Sequence, residues 1–141
     1  MAGKLNYDDI RVGMEIPTLV KNLSPRQLVK WSGATEEYYE IHYDKDFAIS
    51  NGLPGIVAPG AMVWSALGQM LTDWLGNQGD VRVLRGSFRG MNLPRQNLYC
   101  KGTVTDKYTR DGAQLVACDV WVENTEGQKT ITGDAVVSVN P

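Results

Sequence analysis

Histidine is almost absent from this chain: of 141 residues only His42 carries an imidazole, so any imidazole chemistry rests on one side chain. Cysteine is nearly as scarce. Cys100 and Cys118 fit neither a disulfide framework nor a CxxC redox or zinc pattern, and they read as small buried hydrophobes on strands. No apolar run approaches the length needed to span a membrane. The opening stretch MAGKLNYDD lacks the apolar core of a signal peptide, so a cytoplasmic location is the expectation. No block of lysine or arginine occurs either: 14 basic and 16 acidic residues are interspersed for a net charge of −2. That balance argues against nucleic-acid and membrane-surface partners. With no internal repeat and no low-complexity linker, residues 1–141 read as a single domain, long enough to bury a core without disulfides or metal.

What is present divides into a helical first half and an extended second half. Residues 4–13 read as an extended lead-in ending at Gly13, and residues 14–23 as a first strand that Pro17 keeps near an edge. Ser24-Pro25 then starts a helix, with a capping serine and proline at the first helical position. Leu28, Val29 and Trp31 form its apolar stripe, and Gly33 can close it. A second short helix begins at Asp44, buries Phe47 and Ala48, and stops near Asn51-Gly52. From Gly60 the pattern is plainly helical: Val63, Leu67, Met70, Leu71, Trp74 and Leu75 recur at three- and four-residue spacing, with Gly76 as the cap. A helix this apolar around its circumference is usually enclosed. Gly68 inside it calls for close packing or substrate access to account for it.

After Asp80 the two-residue period takes over. A long strand over 81–93, bulged near Gly86 or Gly90, is followed by three alternating strands, with turns at Asp111-Gly112 and Glu126-Gly127. One strand, a helical insertion, one enclosed helix and then antiparallel strands is an α+β plan. A curved antiparallel sheet wrapped around one central helix satisfies it.

The candidate chemistry lies in residues 31–62. Glu37 precedes His42 by five residues, and a Pro-Gly pair, Pro59-Gly60, opens the long helix eighteen residues after the histidine. An acid, an imidazole and a helix N-terminus with free amides are the parts needed for acid/base chemistry on a carbonyl. Residues five apart on a helix point about 140° apart, so Glu37 and His42 can meet only if a turn lies between them. Pro59 has no N–H, so donors start at Gly60, where glycine lets a carbonyl approach closely. Spacing alone also admits a structural histidine and an ordinary solvated helix start. The neighbouring Tyr38 and Tyr39 are of a type more often used for packing than for chemistry.

The stretches GATEEYYEIHYDKDFA and LPGIVAPGAM resemble the MaoC-like dehydratases, also called (R)-specific enoyl-CoA hydratases, of the hotdog fold. That family carries a core close to SGDxNPIHxDxxFA followed by PxxIVHGM. His42, Asp44, Phe47, Ala48, Ile56, Val57 and Gly60 fall on the pattern, and the lead-in YDDIRVGMEIP and the strand RVLRGSFRGMNLPRQ are of the same kind. Glu37 stands where the family has its catalytic aspartate, Tyr39 and Glu40 replace asparagine and proline, and Pro59 replaces a histidine. The resemblance implies hydration of enoyl thioesters and dehydration of 3-hydroxyacyl thioesters. Glu37 and His42 would activate water, the Gly60 N–H would serve as oxyanion donor, and Tyr39 would border the substrate. It implies no metal and no resident cofactor, since coenzyme A or a phosphopantetheine arm arrives with the substrate. Hotdog proteins usually pair, so a homodimer or higher homo-oligomer is expected, or a hetero-oligomer with a related subunit. The replacements keep two other readings open, a non-catalytic partner subunit of a hetero-oligomeric hydratase and an acyl-CoA thioesterase.

Overall fold

The computed structural model describes residues 4–141; the first three residues, part of the stretch read as lacking a signal sequence and of the 1–141 domain, lie outside it. Strand β1 (Glu15–Asn22) is followed by helices α1 (Pro25–Thr35), α2 (Lys45–Ser50) and α3 (Gly60–Leu75). Strands β2 (Gly79–Phe88), β3 (Asn97–Arg110), β4 (Ala113–Glu123) and β5 (Lys129–Val139) complete the chain. The five strands form one antiparallel sheet in the order β1-β3-β4-β5-β2, which leaves β1 and β2 as the edges. This is the hotdog architecture, a sheet curved around α3.

The core follows from the two periodicities. Alternate residues of β3 and β4, among them Leu98, Cys100, Val104, Val116, Cys118, Val120 and Val122, turn one face of the sheet inward. Helix α3 supplies Val63, Ala66, Leu67, Met70, Leu71 and Leu75 from its facing side, and together they form one cluster. Removing these side chains from water is the main stabilising term, about 1.5–3 kcal/mol for each large one. Both thiols are fully enclosed, and burial pushes Cys100 up to about 11 and Cys118 up to about 12. The Asp111-Gly112 turn is a two-residue hairpin with φ of 50° and 79°, the left-handed pair such a turn requires.

Several expectations are corrected. The lead-in is not wholly extended: Tyr7–Asp9 form a single 3₁₀ turn that seats Ile10 in the core. Helix α1 passes Gly33 and ends at Thr35, with Glu36 taking the left-handed cap at φ 57°. Val29 is exposed; α1 buries Leu28 and Ser32. Strand β2 ends at Phe88 rather than at residue 93. The Arg89 and Gly90 amides converge on the Thr130 carbonyl, which splays the strand off β5. The irregularity within β2 falls between Val81 and Val83, while Gly86 pairs regularly with Gly133. A Cβ on Gly86 would meet the Trp64 ring at 2.9 Å, so this glycine is a seat for an aromatic. At Gly68 a Cβ would meet only Leu84 at 3.7 Å, so packing within the chain does not demand glycine there.

Candidate active site

Local chemistry builds the turn that spacing required between Glu37 and His42. Helix α1 closes on the left-handed Glu36, and the Glu37 amide donates to the Ser32 carbonyl at 3.1 Å, so the chain reverses as the helix ends. Residues Glu40–His42 then form a single 3₁₀ turn, with the His42 amide donating to Tyr39 O and that of Tyr43 to Glu40 O. The Tyr43 hydroxyl donates to Tyr38 O at 2.7 Å and ties the loop across its neck. Asp44 caps α2 by accepting from the Phe47 amide at 3.0 Å, which fixes the exit from the turn.

The reversal brings the acid and the imidazole together. His42 Nε2 lies 3.4 Å from Glu37 Oε1; the imidazole is buried, while the carboxylate is about half exposed (47%). On its other side His42 Nδ1 is 2.8 Å from the Val57 carbonyl. A carbonyl only accepts, so Nδ1 carries the proton of the neutral ring and Nε2 presents its lone pair toward Glu37. Tyr39 stands edge-on to both His42 and Phe47 with ring centroids 6.1 Å away. Its ring is half exposed, and Tyr38 is more so, so neither is the core packing that their residue type suggests.

The same carbonyl ties the imidazole to the start of α3. The Val57 amide donates to Ile41 O at 3.0 Å, and the next amide, Ala58, donates to Asn92 O at 2.8 Å. Pro59 then occupies the cap position with no side-chain bond and no acidic residue in the first turn. The Met62 and Val63 amides return to Pro59 O, whereas those of Gly60 and Ala61 meet no protein acceptor among the described residues. The Phe88 ring packs on Gly60 where a side chain would project: a Cβ there would lie 3.0–3.3 Å from three ring atoms. Glycine is therefore a steric requirement of this contact as well as an opening for a ligand.

Glu37, His42, Tyr39 and Gly60 thus belong to one connected segment, with Val57 as the link. The Val57 carbonyl had no sequence signal, because any residue type supplies one. Phe88 read only as a strand residue, and Asn92 fell within the overlong strand. Among the described residues no cluster of three or more His, Cys, Asp or Glu is arranged for a metal ion, and no helix is long and apolar enough to cross a membrane.

Comparison with known proteins agrees with this architecture. Residues 10–128 match the family described as MaoC like domain, and the chain belongs to that family. The unliganded R-hydratase PhaJ1 from Pseudomonas aeruginosa superposes with a TM-score of 0.86 at 16% identity, covering 95% of this chain and 84% of that one. The ChsH1-ChsH2 complex from Mycobacterium tuberculosis gives 0.79 at 23% identity, covering 92% and 98%. At such identities these likenesses establish the fold. Among curated proteins, the fatty acid synthase beta subunit TOXC of Cochliobolus carbonum is 34% identical over 106 residues, 68% of this chain. The chain spans only 5% of that relative's length.

Proposed function

We propose that this MaoC-like protein hydrates enoyl thioesters and, in reverse, dehydrates 3-hydroxyacyl thioesters, using Glu37, His42 and the Gly60 amide. The observation carrying this reading is the imidazole held by the Val57 carbonyl at 2.8 Å with its other nitrogen 3.4 Å from Glu37 Oε1. With Nδ1 donating to Val57, Nε2 and the carboxylate are two acceptors facing each other. A water donating one hydrogen to each satisfies both and leaves an oxygen lone pair free.

In hydration that oxygen forms a bond to the β-carbon while Nε2 or Glu37 takes the water's proton. The double-bond electrons move onto the α-carbon and thioester oxygen, where the Gly60 N–H stabilises the enolate. The proton taken from water is then delivered by the same acid/base pair to the α-carbon, which gives the 3-hydroxyacyl thioester and returns the pair to its starting state. The helix N-terminus adds its partial positive charge at the oxygen where negative charge develops. The glutamate, one methylene longer than the family's aspartate, reaches the imidazole because the left-handed Glu36 turns the chain back toward it. Coenzyme A or a phosphopantetheine arm enters as part of the substrate, and no step calls for a metal or a resident cofactor.

A dimer fits this reading, because β2 is an unpaired edge with Val83 and Phe88 exposed on it. The ChsH1-ChsH2 likeness makes a related subunit the other candidate for that edge. The test is hydration of crotonyl-CoA by the purified chain, followed as loss of enoyl absorbance. Glu37→Gln and His42→Ala are each expected to lower the rate by at least about 10²-fold. Loss of the half-exposed Glu37 carboxylate leaves the melting temperature nearly unchanged, while loss of the buried His42 ring lowers it by a few degrees with the fold intact. Wild-type rates in both variants would remove these residues from the mechanism. Activity only after a related subunit is added would favour the partner reading, and thiol release without enoyl loss would favour a thioesterase.

A further inference from the structure

Asn92 is a buried polar side chain beside this site that the proposed chemistry leaves unused. It is 5% exposed, and its Oδ1 is enclosed with no hydrogen-bond partner among the described residues. A buried amide oxygen without a donor is costly to keep, and leucine would fill a similar space at no such cost. Its location is set by the backbone: Asn92 O accepts from the Ala58 amide at 2.8 Å. The side chain therefore stands within one side-chain length of the loop that runs from Val57, the anchor of His42, to Gly60.

The spacing along this loop matches the substrate proposed above. Six backbone bonds separate the Ala58 nitrogen from the Gly60 nitrogen, roughly 7 Å when extended. In a pantetheine thioester five bonds separate the thioester oxygen from the first amide nitrogen of the arm, through carbon, sulfur and two methylenes. With the thioester oxygen on the Gly60 amide, an arm running back along the loop is long enough for its first amide to reach Ala58 and Asn92. That amide is also the nearest hydrogen-bond donor an enoyl substrate carries.

Resting on the hydratase reading, we propose that the Asn92 side-chain amide is the acceptor for the first amide N–H of the thioester's carrier arm. Asn92 is then a specificity-determining residue, which distinguishes pantetheine-type thioesters from simple alkyl thioesters of the same acyl group. The bond forms in the ground state and persists through the reaction, so its loss acts on KM rather than kcat.

The test compares crotonyl-N-acetylcysteamine, which has that amide, with crotonyl S-butyl thioester, which lacks it. Asn92→Leu is expected to lower kcat/KM about tenfold on the first through KM and less than about twofold on the second. Asn92→Asp, which keeps an acceptor, is expected to recover part of the difference. Equal losses on both thioesters, or a loss confined to kcat, would overturn the proposal while leaving the hydratase reading in place. NMR titration with saturated butyryl-N-acetylcysteamine separates the two ideas, because it needs no turnover. Binding weakened by Asn92→Leu in a protein that hydrates nothing would sustain the Asn92 contact and remove the hydratase reading. Equal binding to wild type and variant would overturn the contact. Should the leucine variant not fold, Asn92→Ala, which also lacks an acceptor, carries the same comparison.

Discussion

Helices α1 and α3 both begin beside a proline, and both face the cost of amides without intrahelical partners. In α1 the proline is the first helical residue, and Ser24 sits ahead of it. The serine side chain accepts from the Gln27 amide at 3.2 Å, and Gln27 Oε1 accepts from the Ser24 amide at 2.8 Å, a complete capping box. In α3 the proline is the cap itself, with no side-chain acceptor and no acid in the first turn, and the Gly60 and Ala61 amides stay open. One helix start is closed for stability; the other is left able to receive an oxygen from outside. The buried face of α3, from Val63 to Leu75, holds that helix without help from a cap.

The sharpest way to break this contrast is to delete the Gly60 donor while keeping the helix. Proline is tolerated at the first helical position, and Pro59, at φ −57° and ψ 131°, already has the conformation a following proline demands. Gly60→Pro is therefore expected to lower hydration by about 10²–10³-fold beyond whatever Gly60→Ala costs. Both variants crowd Phe88, so the alanine variant controls for sterics, and steady-state kinetics of the pair reads the donor alone.

A smaller effect comes from giving α3 the cap that it lacks. Pro59→Asp should raise stability by about 1 kcal/mol and lower activity at least about tenfold, since the new carboxylate would occupy the amides and repel a developing oxyanion. Thermal melts and rates should move in opposite directions; a rise in both would mean the amides are not used. Smaller again, Ser24→Ala should cost about 1 kcal/mol, lowering the melting temperature by a few degrees with activity unchanged.

The helix ends carry the smallest prediction. Both α1 and α3 close on a residue at φ 57°, Gly76 after α3 but Glu36 after α1. Glu36→Gly is expected to gain about 0.5–1 kcal/mol by relieving a left-handed side chain, read as a shift in the urea midpoint. An unchanged midpoint would mean that Glu36 makes a compensating contact.

The α+β plan, the extent of the helix Gly60–Leu75 and the alternating faces of β3 and β4 were legible because period is a local property of a chain. The expectation of an enclosed helix is corrected, since Ala61, Ser65, Gln69, Thr72 and Asp73 are exposed on its far side. Leu98, Cys100 and Val104 face inward for no reason more remote than two-residue alternation along one strand. The pairing of Glu37 with His42 was legible only as a possibility, since five-residue spacing permits a meeting without requiring one. Tertiary structure decided it through the left-handed Glu36, the 3₁₀ turn at Glu40–His42 and the Val57 carbonyl on Nδ1. The overlong strand had the same origin: residues 89–93 look extended, but whether their backbone groups meet β5, as the Arg89 and Gly90 amides do, or the 57–58 loop, as the Asn92 carbonyl does, depends on a partner distant in sequence. Residue order determined which groups could be acid, base and donor. Only the fold determined their mutual distances and left Asn92 buried beside them, because distances between separate segments are set by the packing of the whole core.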